Sequence, residues 1–192
     1  MSTLDGDVAL ILLAAGKSSR FGGRKLTASL DGKPVWEWSA SAAERAGFVA
    51  RYLVVGPDWP GEPRAGWTTV LNANAAAGIG TSIAAGVEAA SSSKRIVIAL
   101  ADVPLMQPDH LRRLGEGRGN IFTRQRGGAA GTPAAFDRSA YSALRSLNGD
   151  RGASSLALDN IVIVAPEDER ILSDIDTPAD LAAIARSDDQ GA

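Results

Sequence analysis

The chain of 192 residues contains no cysteine and a single histidine, His110. Without cysteine it has no disulfide, no thiolate nucleophile and no cysteine-bound zinc. One histidine also excludes a metal site built from several imidazoles. A chain without cysteine is typical of a reducing compartment, so we expect the protein to be cytoplasmic.

Long apolar runs and excess positive charge are missing as well. The longest apolar run covers residues 8–13, far short of the roughly 20 residues that a membrane-spanning helix needs. The first seven residues, MSTLDGD, are acidic and do not have the pattern of a signal peptide. The net charge of −2 gives no broad basic surface for nucleic acid. We therefore expect a soluble protein that binds neither membranes nor nucleic acid.

The content of hydrophobic residues, 45%, is enough for one good core, and we expect a single domain over residues 1–192 with its core at about 8–185. Apolar runs predict strands at 8–13, 49–55, 68–71, 95–100, 120–123 and 161–165. Amphipathic stretches predict helices at 34–46, 81–90, 108–114, 138–147, 152–158 and 178–185. This alternation favours an α/β fold with a mostly parallel sheet covered by helices on both faces.

The first predicted strand leads directly into a loop of small and cationic residues, with the sequence LILLAAGKSSRFGGRK at 10–25. Small residues let backbone N–H groups approach a ligand closely. The loop matches neither a Walker A motif nor a G-x-G-x-x-G motif. Its four cations nevertheless predict a site for a polyanion such as a nucleotide phosphate: Lys17, Arg20, Arg24 and Lys25.

Two acidic elements are candidates for a metal site. Asp102 follows the apolar run 96–100, and Pro104 prevents the strand from continuing. Asp174 and Asp176 precede the last predicted helix, and alternate residues of an extended chain point the same way. Magnesium is a hard ion that binds one or two carboxylates together with substrate phosphates. Each element is also an ordinary turn or helix start, and the role of Asp174 stays open.

These segments resemble signatures of the MobA-like NTP transferase family, in the branch that contains molybdenum cofactor cytidylyltransferases. The family pattern L-A-A-G-x-S-x-R-x-G-x-x-K is matched by Leu13, Ala14, Ala15, Gly16, Ser18, Arg20, Gly22 and Lys25. The A-D-x-P and D-x-D-T-P elements contain Asp102 and Asp176. The resemblance implies a three-layer, Rossmann-like α/β sandwich of the nucleotidyltransferase type. It also implies Mg²⁺ at Asp102 and Asp176, Lys25 on the α-phosphate and Arg20 on the β- and γ-phosphates.

The segment 74–82 resembles the family's N-x-x-x-G-x-G-x-S element, which lies over the nucleobase. The resemblance assigns base recognition to Gly78 and Ser82, whereas composition alone favours a helix start capped by Thr81 or Ser82. Guanylyltransferase relatives usually read L-A-G-G at the first motif. The additional methyl of Ala15 narrows the space for a purine, so we expect CTP rather than GTP.

Two later segments resemble the acceptor elements of the same branch. They are a G-x-P element, formed by Gly131, Thr132 and Pro133, and a G-D-[KR]-G-A turn that includes Asp150 and Arg151. By composition the second is only a turn between helices. The resemblance implies Mg²⁺-dependent transfer of CMP from CTP to the terminal phosphate of molybdopterin, with release of pyrophosphate. A client molybdoenzyme is then an expected further partner.

Three alternatives remain at this stage. The chain could transfer a nucleotide to another acceptor, such as a sugar phosphate or a small alcohol phosphate. It could use GTP. A non-enzymatic alternative is a chaperone that binds nucleotide or cofactor and delivers it to a molybdoenzyme. The pair Asp102 and Asp176 favours an enzyme, because simple binding does not need a metal site with two carboxylates.

Overall fold

A seven-stranded sheet lies at the centre of the protein, which a computed structural model describes over residues 3–188. The strands are β1 (Val8–Ala14), β2 (Ser29–Leu30), β3 (Lys33–Pro34), β4 (Ala50–Val55), β5 (Thr68–Leu71), β6 (Arg95–Leu100), β7 (Asn120–Arg124), β8 (Ala130–Asp137) and β9 (Ile161–Val164). The helices are α1 (Val35–Arg45), α2 (Ile79–Ala89), α3 (Pro108–Glu116), α4 (Tyr141–Arg145) and α5 (Pro178–Asp188). In the described part of the chain, no helix is long and apolar enough to cross a membrane.

The sheet has the strand order β5-β4-β1-β6-β8-β7-β9, while β2 and β3 form a separate two-stranded pair. Only β8 runs antiparallel to its neighbours β6 and β7. Leu13 of β1 is in register with Val54 of β4 and Leu100 of β6, so the carboxyl ends of these three strands meet at one edge. This confirms the predicted α/β fold with a mostly parallel sheet. It also identifies the edge where ligands bind in folds of this type.

Strand β1 is buried on both faces, which explains its unbroken apolar sequence. Leu10 and Leu12 belong to the core under α1 and α3, together with Trp36. Ile11 and Leu13 belong to the opposite core, under α2 and α4. The sheet therefore lies between two layers of helices, and the end of β1 is held rigidly at the ligand edge.

The sequence predicts no strand around residues 131–133, but these residues belong to strand β8. Glycine and proline weaken a strand prediction, since proline cannot donate to the sheet. Here the register of β7 and β8 shifts between Phe122 and Thr123, so Pro133 lies in an irregular stretch of the pairing. The hydroxyl of Thr123 donates a 2.6 Å hydrogen bond to the carbonyl of Pro133.

The helix predicted at 152–158 was wrong, because only one 3₁₀ turn, Ala153–Ser155, forms there. The hydroxyl of Ser155 donates to the carbonyl of Gly152 at 2.8 Å. Such local hydrogen bonds compete with helix propagation. The other predicted helices and strands are present with small differences in their ends, and the stretch 138–147 divides into a 3₁₀ turn followed by α4.

His110 links α3 to the irregular part of β8. Its side chain is buried, and Nε2 lies 2.7 Å from the hydroxyl of Thr123. Because that hydroxyl donates to Pro133, Nε2 of His110 must carry a proton and donate to it. Burial, together with the charge of Arg113, lowers the pKa of His110 from 6.5 to about 4.

We expect the free energy of unfolding to decrease as the pH falls from about 6.5 towards about 4. In this range His110 takes up a proton in the unfolded chain, whereas buried His110 in the folded chain does not. The stability that comes from neutral His110 is therefore complete above pH 6.5 and is lost as the pH falls towards about 4. The total effect is about 3 kcal/mol. Urea unfolding of the wild type and of His110→Gln at several pH values measures this loss of stability. If the free energy of unfolding depended on pH in the same way in both proteins, His110 would not be its source. Because His110 is the only histidine, NMR of its imidazole gives the pKa directly.

Candidate active site

A cleft of about 400 Å³ opens at the carboxyl edge of the sheet. Its walls come from the loop after β1, the end of β6, the start of α2 and the turn after α4. The loop cation Lys17 lines this cleft. So do nine residues to which the resemblance assigns site roles: Leu13, Ala15, Gly16, Ser18, Lys25, Gly78, Ser82, Asp102 and Asp150. The structure therefore brings the phosphate loop, one metal candidate and the base segment around a single space. Among the nine is Asp150, which we expected to contact the acceptor.

The loop after β1 is shaped by its own backbone. The carbonyl of Ser18 accepts hydrogen bonds from the N–H groups of Phe21 (3.1 Å) and Gly23 (3.2 Å). Gly22, at φ 84°, supplies the left-handed conformation that this closed turn requires. A Cβ at Gly16 would meet no atom within 4 Å, so packing within the protein does not demand glycine there. The backbone at Gly16 is open to a ligand.

Lys25 lies at the centre of an ion-pair cluster. It begins a 3₁₀ turn, Lys25–Thr27, and is almost completely buried. Its Nζ donates to Oδ2 of Asp102 at 2.7 Å and to Oδ1 of Asp176 at 3.1 Å. Arg20 donates to the other oxygen of Asp176 at 2.5 Å. Two predicted phosphate-binding cations and both predicted metal carboxylates thus form one network.

The charge state of Lys25 follows from this network. Burial lowers the pKa of its ammonium group, but the charge and hydrogen bond of Asp102, followed by those of Asp176, outweigh burial. The pKa of Lys25 is therefore raised above its ordinary value, and the side chain stays protonated. A permanent positive charge at this position is suited to bind a phosphate.

Asp102 has a buried oxygen without a partner. Its Oδ2 binds Lys25, whereas Oδ1 is buried and makes no hydrogen bond. The Asp102 carbonyl accepts a 2.9 Å hydrogen bond from the N–H of Ile175, which holds the 174–176 segment beside it. A buried carboxylate oxygen without a donor is costly unless a ligand satisfies it. This feature fits a Mg²⁺ ligand, as the sequence predicts.

A metal ion at Asp102 and Asp176 would need further ligands from outside the protein. Within residues 3–188 no cluster of three or more acidic or histidine side chains could hold a metal ion. Asp102 and Asp176 alone fit magnesium, which binds few carboxylates and keeps phosphate and water ligands. Asp174 lines a different cleft of about 480 Å³, together with Arg126 and Ser173. Burial, and then the charge of Asp102, raises the pKa of Asp174.

The base segment is fixed by a contact between Gly78 and Gly149, which are 71 residues apart in sequence. Gly78 has φ 121°, and a Cβ there would lie 2.3 Å from the backbone of Gly149 and 2.6 Å from Oδ1 of Asp150. The N–H of Gly80 donates to the carbonyl of Gly149 at 2.9 Å. The turn after α4 is thus held directly against the start of α2.

Asn72 is a site residue that the sequence analysis missed. It is buried at the end of β5, and its amide donates to the hydroxyls of Thr81 (2.9 Å) and Ser82 (3.0 Å). Because the Ser82 hydroxyl accepts this bond, its own proton is available to donate into the cleft. The alternative of Thr81 or Ser82 as N-cap was wrong, since α2 begins at Ile79 after Gly78. The only signal for Asn72 was a polar residue directly after a strand.

The other residues that were expected to contact the acceptor lie at the same edge of the sheet but outside the main cleft. The register of β8 with β6 places residues 131–133 beside the end of β6, outside the lining of the main cleft. A Cβ at Gly131 would lie 2.5 Å from the side chain of Gln125, whose amide donates to the carbonyl of Thr132 at 2.9 Å. Arg151 is exposed. Contact of these residues with the acceptor remains a prediction.

A second cleft, of about 530 Å³, shares Ala15 and Gly16 with the first. Trp59 forms part of its wall and packs edge-to-face on Trp36, with ring centroids 5.5 Å apart. Arg24, which belongs to the phosphate loop, also lines this second cleft. No sequence pattern indicates that Trp59 lies near the loop, because 44 residues separate it from Ala15.

Comparisons with known proteins agree with this geometry. The family model described as the MobA-like NTP transferase domain matches residues 10–164. The purine catabolism protein PucB of Bacillus subtilis is 30% identical over 195 residues, which cover 92% of this chain and 95% of PucB.

Two solved structures share the fold. Molybdopterin-guanine dinucleotide biosynthesis protein A from Archaeoglobus fulgidus has a TM-score of 0.72 at 18% identity, with coverage of 95% of this chain and 99% of that one. A Mycobacterium tuberculosis protein, Rv0371c, crystallised in complex with manganese, has a TM-score of 0.70 at 23% identity, with coverage of 94% and 98%. At these identities the likeness concerns the fold alone.

We expect Gly78→Ala to lower the free energy of unfolding by about 2 kcal/mol or more, because the new methyl would overlap the backbone of Gly149 at a positive φ. Urea unfolding measures the change. Gly152→Ala is the matched control, since a Cβ there meets no atom within 4 Å. Equal stability of the two variants would contradict the described contact between α2 and the turn.

Proposed function

Because the chain belongs to the MobA-like NTP transferase family, we propose that it transfers CMP from CTP to the terminal phosphate of molybdopterin in a Mg²⁺-dependent reaction. The observation that carries the proposal is the cluster of Lys25, Arg20, Asp102 and Asp176 at the carboxyl edge of the sheet. Cations that bind a triphosphate and carboxylates that bind a metal are the two requirements of nucleotidyl transfer.

The reaction forms one bond and breaks one. A terminal phosphate oxygen of the acceptor attacks the α-phosphorus of CTP, and the bond from that phosphorus to the β-phosphate bridging oxygen breaks. Pyrophosphate leaves with the electron pair of that bond. The acceptor phosphate is largely ionised at neutral pH, so the step needs no general base and no covalent enzyme intermediate.

The protein contributes position and charge. Lys25 binds the α-phosphate, Arg20 binds the β- and γ-phosphates, and the open backbone at Gly16 donates to phosphate oxygens. Both cations are paired with carboxylates, so binding of the triphosphate would exchange these partners. Magnesium bound at Asp102 and Asp176 would supply charge neutralisation to the phosphate oxygens. It would also satisfy the unpartnered Oδ1 of Asp102.

The part of the cleft lined by the base segment favours a pyrimidine base. Ala15, Gly78 and Ser82 all line this space, and Gly78 contributes no side chain to it. The Ala15 methyl reduces the room available to a purine. For the acceptor, support comes from the sequence segments at 131–133 and 149–153 and from the molybdopterin-related name of the Archaeoglobus protein with the same fold.

Pyrophosphate release tests the function directly. We expect release when the chain is mixed with CTP, Mg²⁺ and molybdopterin, and little release with GTP, ATP or UTP. Binding is checked by thermal unfolding, since a ligand at 100 times its Kd adds about 2.7 kcal/mol. Preference for GTP would contradict the choice of base. Binding of CTP without pyrophosphate release would instead favour a chaperone.

Asp102→Asn should reduce Mg²⁺-dependent turnover by about 100-fold or more, because the variant loses the anionic oxygen that binds the metal. Titration of activity with Mg²⁺ measures the loss. Asp159→Asn, at an exposed position before β9, is the control and should leave activity unchanged. Normal magnesium dependence of Asp102→Asn would show that Asp102 is not a metal ligand.

Lys25→Ala should lower kcat by about 100-fold or more, because a charge contact to the transition state is lost. Single-turnover rates with saturating CTP separate this loss from weaker binding. Lys25→Arg retains the charge and is the comparison variant. If Lys25→Ala changed only the KM of the acceptor, Lys25 would not contact the α-phosphate.

A further inference from the structure

The turn after α4 brings one carboxylate into the nucleotide cleft. Asp150 lines the cleft together with Ala15, Gly78 and Ser82. Its side chain is exposed, and in the described part of the chain no hydrogen bond or ion pair engages it. This distinguishes Asp150 from Asp102, whose charge is paired with Lys25. The cleft therefore contains a carboxylate that is free to bind a ligand.

Two glycines fix the position of Asp150. A Cβ at Gly80 would lie 2.7 Å from the backbone N of Asn148, and one at Gly78 would lie 2.3 Å from Gly149. With no side chain at either position, the turn approaches α2 closely enough for the hydrogen bond between Gly80 and Gly149. Oδ1 of Asp150 lies 2.6 Å from the place of a Gly78 Cβ. The backbone contacts thus fix the position of the turn that carries Asp150 at the start of α2.

We propose that Asp150 selects the nucleobase by accepting a hydrogen bond from its exocyclic amine, and thereby favours CTP over UTP. This inference rests on the proposed function, and it assigns Asp150 to the nucleotide rather than to the acceptor. An ionised carboxylate only accepts hydrogen bonds. The C4 substituent of cytosine is an amine that donates, whereas that of uracil is a carbonyl that would face the carboxylate as a second acceptor.

The shape of the cleft does not distinguish cytosine from uracil. Cytosine and uracil have nearly the same size, so the Ala15 methyl that narrows the cleft acts on both alike. The Ser82 hydroxyl has a proton to donate, but both pyrimidines carry a carbonyl at C2 that accepts it. In the lining of this cleft, Asp102 is the only other carboxylate, and it is bound to Lys25 at the phosphate end.

The test compares the affinities of CTP and UTP for the full chain. We expect the wild type to bind CTP at least about tenfold more tightly, the effect of one base contact. In Asp150→Asn the preference should fall to near one, because the new amide can donate to the carbonyl of uracil as well as accept from cytosine. Asp159→Asn is the control with the same loss of charge on the surface, and it should keep the wild-type ratio.

The outcomes separate this inference from the proposed function. A wild type that prefers CTP, with the same ratio in Asp150→Asn, would overturn the role of Asp150 and leave the function intact. An equal loss of affinity for CTP and UTP in the variant would also overturn it, since that pattern indicates a contact with ribose or phosphate. A wild type that binds GTP best would overturn the proposed function itself.

Discussion

The buried ammonium group of Lys25 joins the parts of the site that are farthest apart in sequence. Its partners, Asp102 and Asp176, lie 77 and 151 residues away and belong to the end of β6 and the entry to α5. A buried charge without partners is strongly destabilising, so the loop after β1, the sheet edge and the last helix must come together to satisfy it. The same three groups are those that a triphosphate and a divalent cation require, so the network that holds the edge together is also the proposed binding site.

Most of the sheet was predictable from the sequence because each parallel strand is a short apolar run between polar or helical segments. β1 and β6 are buried on both faces, and their bounds follow directly from the apolar pattern. β8 was not predictable, since Gly131 and Pro133 are typical of loops. It forms a strand only because Phe136 and Ala134 pack into the core and Thr123 satisfies the carbonyl of Pro133. These contacts are made in space and leave no local pattern.

The site, like the sheet, was predictable from the sequence only in part. Motifs at strand ends predicted that Gly16, Lys25 and Asp102 would meet, because parallel strands end at one edge. The approach of Asp150 to Gly78 had no such signal, and the same is true of the hydrogen bond from Asn72 to Ser82. Both depend on the path of a turn between distant elements. Composition describes residues 149–153 only as a turn, and the assignment of Asp150 to the acceptor came from the family resemblance.

The two ends of the cleft are built by different physical means. At the phosphate end, ion pairs hold Lys25 and Arg20, and ion pairs can exchange protein carboxylates for phosphates with little change in position. At the base end, backbone contacts at Gly78 and Gly80 hold the turn, and no side-chain movement can relax them. An exchangeable network suits the proposed reaction, in which charge moves and pyrophosphate leaves. A rigid contact suits the proposed distinction between two bases of nearly the same size.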